Sequence, residues 1–510
     1  MSSQFKISSI IAVLLLAVFM SACSSTSTEV QVSTPPIVIG KQFSGDTLRG
    51  IIRGTVPNTY PPGTPKAGQP HTTYYMDSSV IIQATDTLLI QPGITIIMLN
   101  TGQTNPAGAP EFQVYGSMIC AGEKGKPIYL TAQPNKHNYA SLTDINSDAL
   151  WGGIECAGVG NSLAPNGSGD LIIKWTHIEF AGGASAVSDP IVKASGARYA
   201  VWYQNPKGNF IMEDSWLTGS TDDPLRCSGG KISIFRNVIE CAAPTTGDFN
   251  MKTGTVGDIA YNVFVGIATN GPKLANTNGI TPECNVNIYN NTIVTCGWRV
   301  VKPSRAGSTN IEDGARGTVF NNLIVNCRTG FRLLENPLAD TANTAYGYQY
   351  YYGSVDTIVH MFYPNKNNVG GVEVPKPGDV AGTAKANDPK FVGYNVEQFP
   401  ASIFATFPAS YTSQLPYPAV NLMRSMDENG NSRFADVTTS FKSDFHLQPA
   451  SPCVGKAFTG VVKTNAGSTI TIPMNLGIPL KSSSNPFGAT QKGLGADFGA
   501  YQTDGSGNAQ

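Results

Sequence analysis

Charge is scarce in this chain: Asp, Glu, Lys and Arg make up only 14% of its 510 residues, where about a quarter is ordinary. The two signs nearly cancel, with 34 basic against 35 acidic side chains. Such a balance leaves no electrostatic footprint for nucleic acid or for an anionic membrane surface. Histidine is sparse as well, with five residues scattered at positions 71, 137, 177, 360 and 446. No C-x-x-C pair occurs among the nine cysteines, so nothing has the spacing of a zinc site. Past the first 20 residues, no apolar run approaches the roughly 18 residues of a membrane helix. Two-residue hairpin turns between short strands are also scarce, which counts against an antiparallel sandwich or propeller. What is plentiful is Gly (54) and Pro (34), with many Asn, Thr and Ser. That composition reads as a turn-rich, extracytoplasmic all-β protein.

The N-terminus reads as a targeting signal. Lys6 is the only charge before the apolar run Ile10 to Met20, which is too short to span a bilayer as a mature helix. Met20-Ser21-Ala22-Cys23 follows, and this small-residue site with Cys first in the mature chain resembles the lipobox of bacterial lipoproteins. The resemblance implies removal of residues 1–22 and acylation of the Cys23 thiol. It departs from the family at Met20, where Leu is usual. Any membrane attachment would then run through lipid at Cys23, and Ser24 and Ser25 would suit the outer membrane or cell surface. Loss of Lys6 leaves 33 basic against 35 acidic side chains, a formal charge of −2.

A repeat carries the fold reading. The segments 174–180, 211–217, 234–240, 259–265, 288–294 and 319–325 align on His177, Asp214, Asn237, Asn262, Asn291 and Asn322. Ile211, Ile234, Ile259, Ile288 and Val319 stand three residues earlier; Trp216, Ile239, Phe264, Ile293 and Ile324 stand two later. Spacings of 37, 23, 25, 29 and 31 residues are those of stacked turns lengthened by insertion. Stacked strands lie ~4.8 Å apart. An Asn at such a turn tolerates left-handed φ, and its amide can bond to the Asn above and below. The apolar neighbours would form inward columns. Earlier segments such as 87–97, 112–117 and 126–131 alternate apolar residues and break at Gly, as strands meeting corners do.

This succession, with the phrases 388–392, 444–452 and 497–501, resembles the secreted parallel β-helix repeat proteins of Bacteroidetes-like bacteria, in the pectin-lyase-like superfamily. The resemblance covers about residues 80 to 501 and implies an all-β, single-stranded right-handed parallel β-helix, a solenoid. The expected organisation is a signal peptide over 1–22, a flexible tether over 23–45 and the β-helix over 46–335. An irregular insertion follows over 336–440, where Val355, Ile358, Val359 and Phe362 have the spacing of a short helix. Closing turns occupy 441–510, with a frayed tail after Gln502. In stacked register Cys296 and Cys327 become neighbours, either bridged or, as small inward hydrophobes, reduced.

Architecture does not fix activity, because this fold hosts lyases, hydrolases, adhesins and binding surfaces. Related hydrolases carry N-T-D, D-D, G-H-G and R-I-K; here only Asp222-Asp223 matches, and a D-D-P is commonly a solvated turn. A lyase would need a cation against the uronate carboxylate and a base for the α-proton. Asp222, Asp223, Asp248, Lys252 and Asp258 lie on successive coils and could converge on one face, or stand as solvated loop charges. Arg299, Lys302, Arg305, Arg316, Arg328 and Arg332 follow, able to read acidic groups bidentately or simply to pair with Glu312, Asp313 and Glu335. Tyr346, Tyr348, Tyr350, Tyr351 and Tyr352, with Phe362 and Tyr363, offer faces for sugar rings or seal the insertion. The leading expectation is a non-catalytic, lipid-anchored envelope protein binding a glycan or other extended polymer, with Tyr348, Tyr350, Tyr351, Tyr352, Arg328 and Arg332 in contact. The alternatives are a lyase or hydrolase of acidic polysaccharide using Asp222, Asp223, Asp248, Lys252 and Arg299, or a structural or adhesive surface protein. No resident cofactor is implied, except Ca2+ for a lyase.

Overall fold

A computed structural model describes residues 39–99, 108–133, 150–157, 169–184, 199–240, 247–276, 282–298, 307–334, 339–364, 377–398 and 443–510. All of these belong to one compact unit, Ile39–Gln510. The signal segment, Cys23, the tether up to Val38, Arg299, Lys302, Arg305, Glu335 and all of 399–442 lie outside the described residues.

Alternating apolar positions make short strands, and the strands stack in three rows. The first row runs through Thr87–Ile90, Ser117–Ala121, Leu171–Lys174 and Asn209–Glu213 to Ala345–Gly347. The second runs from Thr95–Met98 through Ile128–Ala132, Thr176–Glu179 and Trp216–Thr218 to Tyr350–Tyr352. The third runs from Glu111–Val114 through Gly153–Ala157, Val201–Gln204, Leu225–Ser228 and the start of Asp248–Ala260 to Arg332–Leu333. Each residue in a row sits over its equivalent, so inward positions form continuous columns. Ile234, Ile259, Ile288 and Val319 make one, and Ile239, Phe264, Ile293 and Ile324 another, all buried as the repeat implies. Each such side chain contributes about 1.5–3 kcal/mol by leaving water.

The single-stranded β-helix expectation is corrected by the pairing. The rows are not separate stacks: 27 strands join in one hydrogen-bonded sheet, every pair in it parallel, and ten of them close a ring, a parallel barrel with 17 further strands. The ring passes up the third row and down the first. It closes because Thr47–Val56 and Leu225–Phe235 each pair in both rows. The physical reason is glycine: Gly50, Gly54, Gly229 and Gly230 take positive φ, so those strands bend at a corner without ending. The fold is all-β, and the parallel pairing also excludes a sandwich or propeller.

A ladder of amides fills the corner between the first and second rows. Asn237 donates both its backbone N–H and its Nδ2 to Asn262 Oδ1, each at 2.9 Å. Asn262 does the same to Asn291 at 2.9 and 3.0 Å, and Asn291 to Asn322 at 3.0 and 2.9 Å. Two details differ from the sequence alignment. The ladder begins with Thr176 and Ser215, not His177 and Asp214, and it continues past Asn322 to Gln349. Left-handed φ falls not on the ladder amides but on the residue before each: Arg236, Tyr261, Asn290 and Asn321. The rhythm thus runs on into the supposed insertion, where Ala345–Gly347 and Tyr350–Tyr352 extend the rows and a single helical turn occupies Asp356–Val359.

Residues 443–510 add no parallel turn. Asp444–Leu447 pairs antiparallel with Phe391–Gly393, and the rest is laid along the outside of the wall. Glu213 accepts from Thr490, Asn290 donates to the Asp497 carbonyl, and Thr292 accepts from the Ala500 N–H. The tail expected to fray is tied down: Asn508 donates to the Tyr261 carbonyl and Tyr501 to the Gln510 carbonyl. All seven described cysteines are buried and free. The stacked Cys296 and Cys327 are therefore unbridged, and burial, then the neighbouring Cys296, holds the Cys327 thiol well above the usual range.

Candidate functional site on the third row

The third row presents a polar outer face. Its inward column is Tyr203, Cys227, Met251, Leu274, Ile311 and Leu333, all core. Because side chains alternate along a strand, the outward column one residue back is Trp202, Arg226, Asn250, Lys273, Asn310 and Arg332, each over the next. Ser228 and Lys252 form a second outward column beside it.

Asp223 organises the edge of this face. One of its oxygens accepts the Asp248 N–H at 2.8 Å and the other the Asn250 amide at 2.9 Å, with Arg226 Nη1 at 3.7 Å. Burial, then the charges of Asp248 and Asp222, push its carboxyl up to about 7. Asp248 accepts from Asn270 at 2.5 Å and pairs with Lys273 at 3.2 Å; Lys273 also reaches Glu312 at 2.7 Å. The ammonium of Lys273 therefore stands between two carboxylates where a cation would have to sit. Among the described residues no three carboxylate, histidine or cysteine side chains are grouped to hold a metal.

Lys252 stands half-buried on the same face, and burial, then Lys273 and Arg226, lower its pKa. Aromatic side chains stand beside Arg226 at the leading end of the face. The Arg226 guanidinium lies 4.9 Å from the centre of the Tyr199 ring and donates to its hydroxyl at 2.7 Å. Tyr199 in turn meets Trp202 edge to face at 5.3 Å. Tyr199, Trp202, Arg226, Lys252 and Asp222 are partly open to solvent, over a floor of buried Asp223, Asp248, Asn250 and Lys273.

Of the residues singled out by sequence, the structure brings Asp223, Asp248 and Lys252 onto this face, with Asp222 at its edge. Asp223 is a buried acceptor, not a solvated turn. Asp258 does not join them: it lies in the first row, where the Met474 N–H and Asn287 bond to it. Arg332 ends the outward column, buried, with Nε on Asn310 Oδ1 at 2.9 Å. Arg328 is also buried, near the Trp298 ring. Of the tyrosines expected to stack on sugar, three are corrected to core and Tyr348 is half-buried. Tyr350, Tyr351 and Tyr352 are buried against Phe498, Phe362 and the Glu397 carboxylate respectively. Tyr348 stacks on Phe320 at 5.8 Å and on Phe458 at 4.3 Å.

Tyr199, Trp202, Arg226, Asn250 and Lys273 carry no repeat or motif that marks them in the sequence. Alternation in Val201-Trp202-Tyr203-Gln204 signals that Trp202 and Gln204 face out, but the other strands of the row offer no shared motif. Compared with models of protein families, with curated proteins and with solved structures, the chain matches none.

Proposed function

We propose that the chain is an envelope lipoprotein, held through lipid at Cys23, that binds an extended glycan bearing acidic groups along the outer face of the third row, without cleaving it. The observation carrying this reading is the outward column itself: Trp202, Arg226 and Asn250 in consecutive register, with Lys252 beside them. A half-open indole, its N–H turned inward, offers an apolar ring surface, the half-exposed Arg226 guanidinium offers positive charge for a carboxylate or sulfate, and one side chain per strand spacing suits a repeating ligand.

Affinity electrophoresis through gels cast with acidic or neutral polysaccharides tests it. Acidic gels are expected to retard the wild type, and Trp202→Ala to weaken that retardation roughly three- to tenfold, as about 0.5–1.5 kcal/mol of ring contact implies. Arg226→Ala should release acidic glycans selectively. Equal mobility of wild type and both variants in every gel would remove the reading.

A second reading, eliminative cleavage of the same polymer, draws on one observation. Lys252, with its lowered pKa, stands near Asp248 on the face where Asp223 sits near 7, and a base needs such tuning. Ultraviolet absorbance of unsaturated uronate products separates the two: its growth, abolished by Lys252→Met, would replace binding with catalysis.

A further inference from the structure

A pocket lies at the N-terminal end of the stack, lined by residues between Phe43 and Tyr74 and by none of the third-row face. The loop after Thr47–Val56 folds back on itself through bonds from Tyr60 N to Gln69 O and from His71 N to Asn58 O, both 2.9 Å. This places Tyr60 flat against His71, 4.2 Å between centres and 4° between planes, and His71 against Tyr74 at 4.4 Å. Phe43 closes the stack edge-on to Tyr74 at 5.7 Å. The rings wall a cavity of about 630 Å³, within the size range of small-molecule sites.

Two charged side chains reach the cavity. Asp46 is largely exposed and touches His71 Nε2 at 3.3 Å. The Lys66 ammonium lies 5.3 Å over the Tyr60 ring. Tyr74 is pushed up to about 12 by burial and then by Asp46, so the carboxylate's field extends into the aromatic wall. Phenol rings and a carboxylate lining one cavity together favour a cation, and more so one too bulky to be strongly hydrated.

We propose that this pocket binds an organic ammonium ion, such as a trimethylammonium head group, and that the Lys66 ammonium is its tethered stand-in. The site is independent of the third-row face and shares no residue with it. Occupation requires Lys66 to swing off Tyr60, which an exposed side chain on a loop does readily.

Isothermal titration of the full chain with tetramethylammonium and choline, and with dimethylbutanol as choline's uncharged isostere, tests this. Both cations are expected to bind and the alcohol not to. Lys66→Ala should raise choline affinity, while Asp46→Asn, an isosteric change at an exposed side chain, should lower it. Tyr60→Leu should weaken binding roughly three- to thirtyfold, the range of a cation over a phenol ring. Equal affinity for choline and dimethylbutanol would overturn the proposal. So would binding of glucose in place of choline, or no saturable heat with the Lys66→Ala protein.

Discussion

Asn262 accepts two hydrogen bonds from Asn237 and donates two, to the Ile234 carbonyl and to Asn291 Oδ1. Its amide thus has no unmet valence in a place closed to water. Replacing it by Ala would strand the Asn237 N–H and the Ile234 carbonyl, at a cost of about 1–3 kcal/mol. Chemical denaturation should show that loss for Asn262→Ala, whereas a drop below a few tenths would mean that the ladder is ornamental. At this scale the sequence was informative where the residue type was unusual: Asn237, Asn262, Asn291 and Asn322 advertised a stack. Thr176, Ser215 and Gln349 did not, because a hydroxyl or a longer amide fills the same slot with no common letter. Nor did Arg236 and Tyr261, whose left-handed φ is imposed by the corner and not by their own preference.

Strands here are interrupted or continued according to where glycine sits. Asp248–Ala260 runs through a corner with Gly254 and Gly257, and so belongs to two rows. At Gly257, φ is +145°, and a β-carbon would lie 2.0 Å from the Ile232 carbonyl oxygen. Gly257→Ala therefore carries both backbone strain and overlap with a neighbouring strand, roughly 2–6 kcal/mol together. A thermal midpoint unchanged in that variant would show that the corner relaxes freely. Alternation within each strand was legible beforehand, so inward columns such as Ile259 and Ile288 were identifiable. Which strands cross a corner unbroken was not, since Gly also ends strands, and the two outcomes share one residue type.

The C-terminal segment binds the molecule together by covering faces that its own pattern does not announce. Asp258 shows the consequence. Its carboxyl accepts from the Met474 N–H at 2.9 Å, and burial raises its pKa from 3.8 to about 7. A raised carboxyl pKa means that the folded state holds the proton more tightly than the unfolded chain. Its stabilising contribution is complete at acid pH and is lost as pH rises from about 4 through about 7. Asp258→Asn mimics the protonated form, so the wild type should lose stability relative to the variant across that window. Denaturation midpoints for both at each end of it decide the matter, and parallel curves would show that Asp258 titrates normally. The sequence by itself determined an all-β chain of stacked parallel strands, the amide ladder and the inward apolar columns, because period and residue type are local properties. Tertiary structure alone decided the closed pairing, the burial of Tyr350–Tyr352, and the assembly of Trp202, Arg226, Asn250 and Lys273 on one face. Those depend on which rows a strand joins and on what the last seventy residues cover, and neither is written in any single turn.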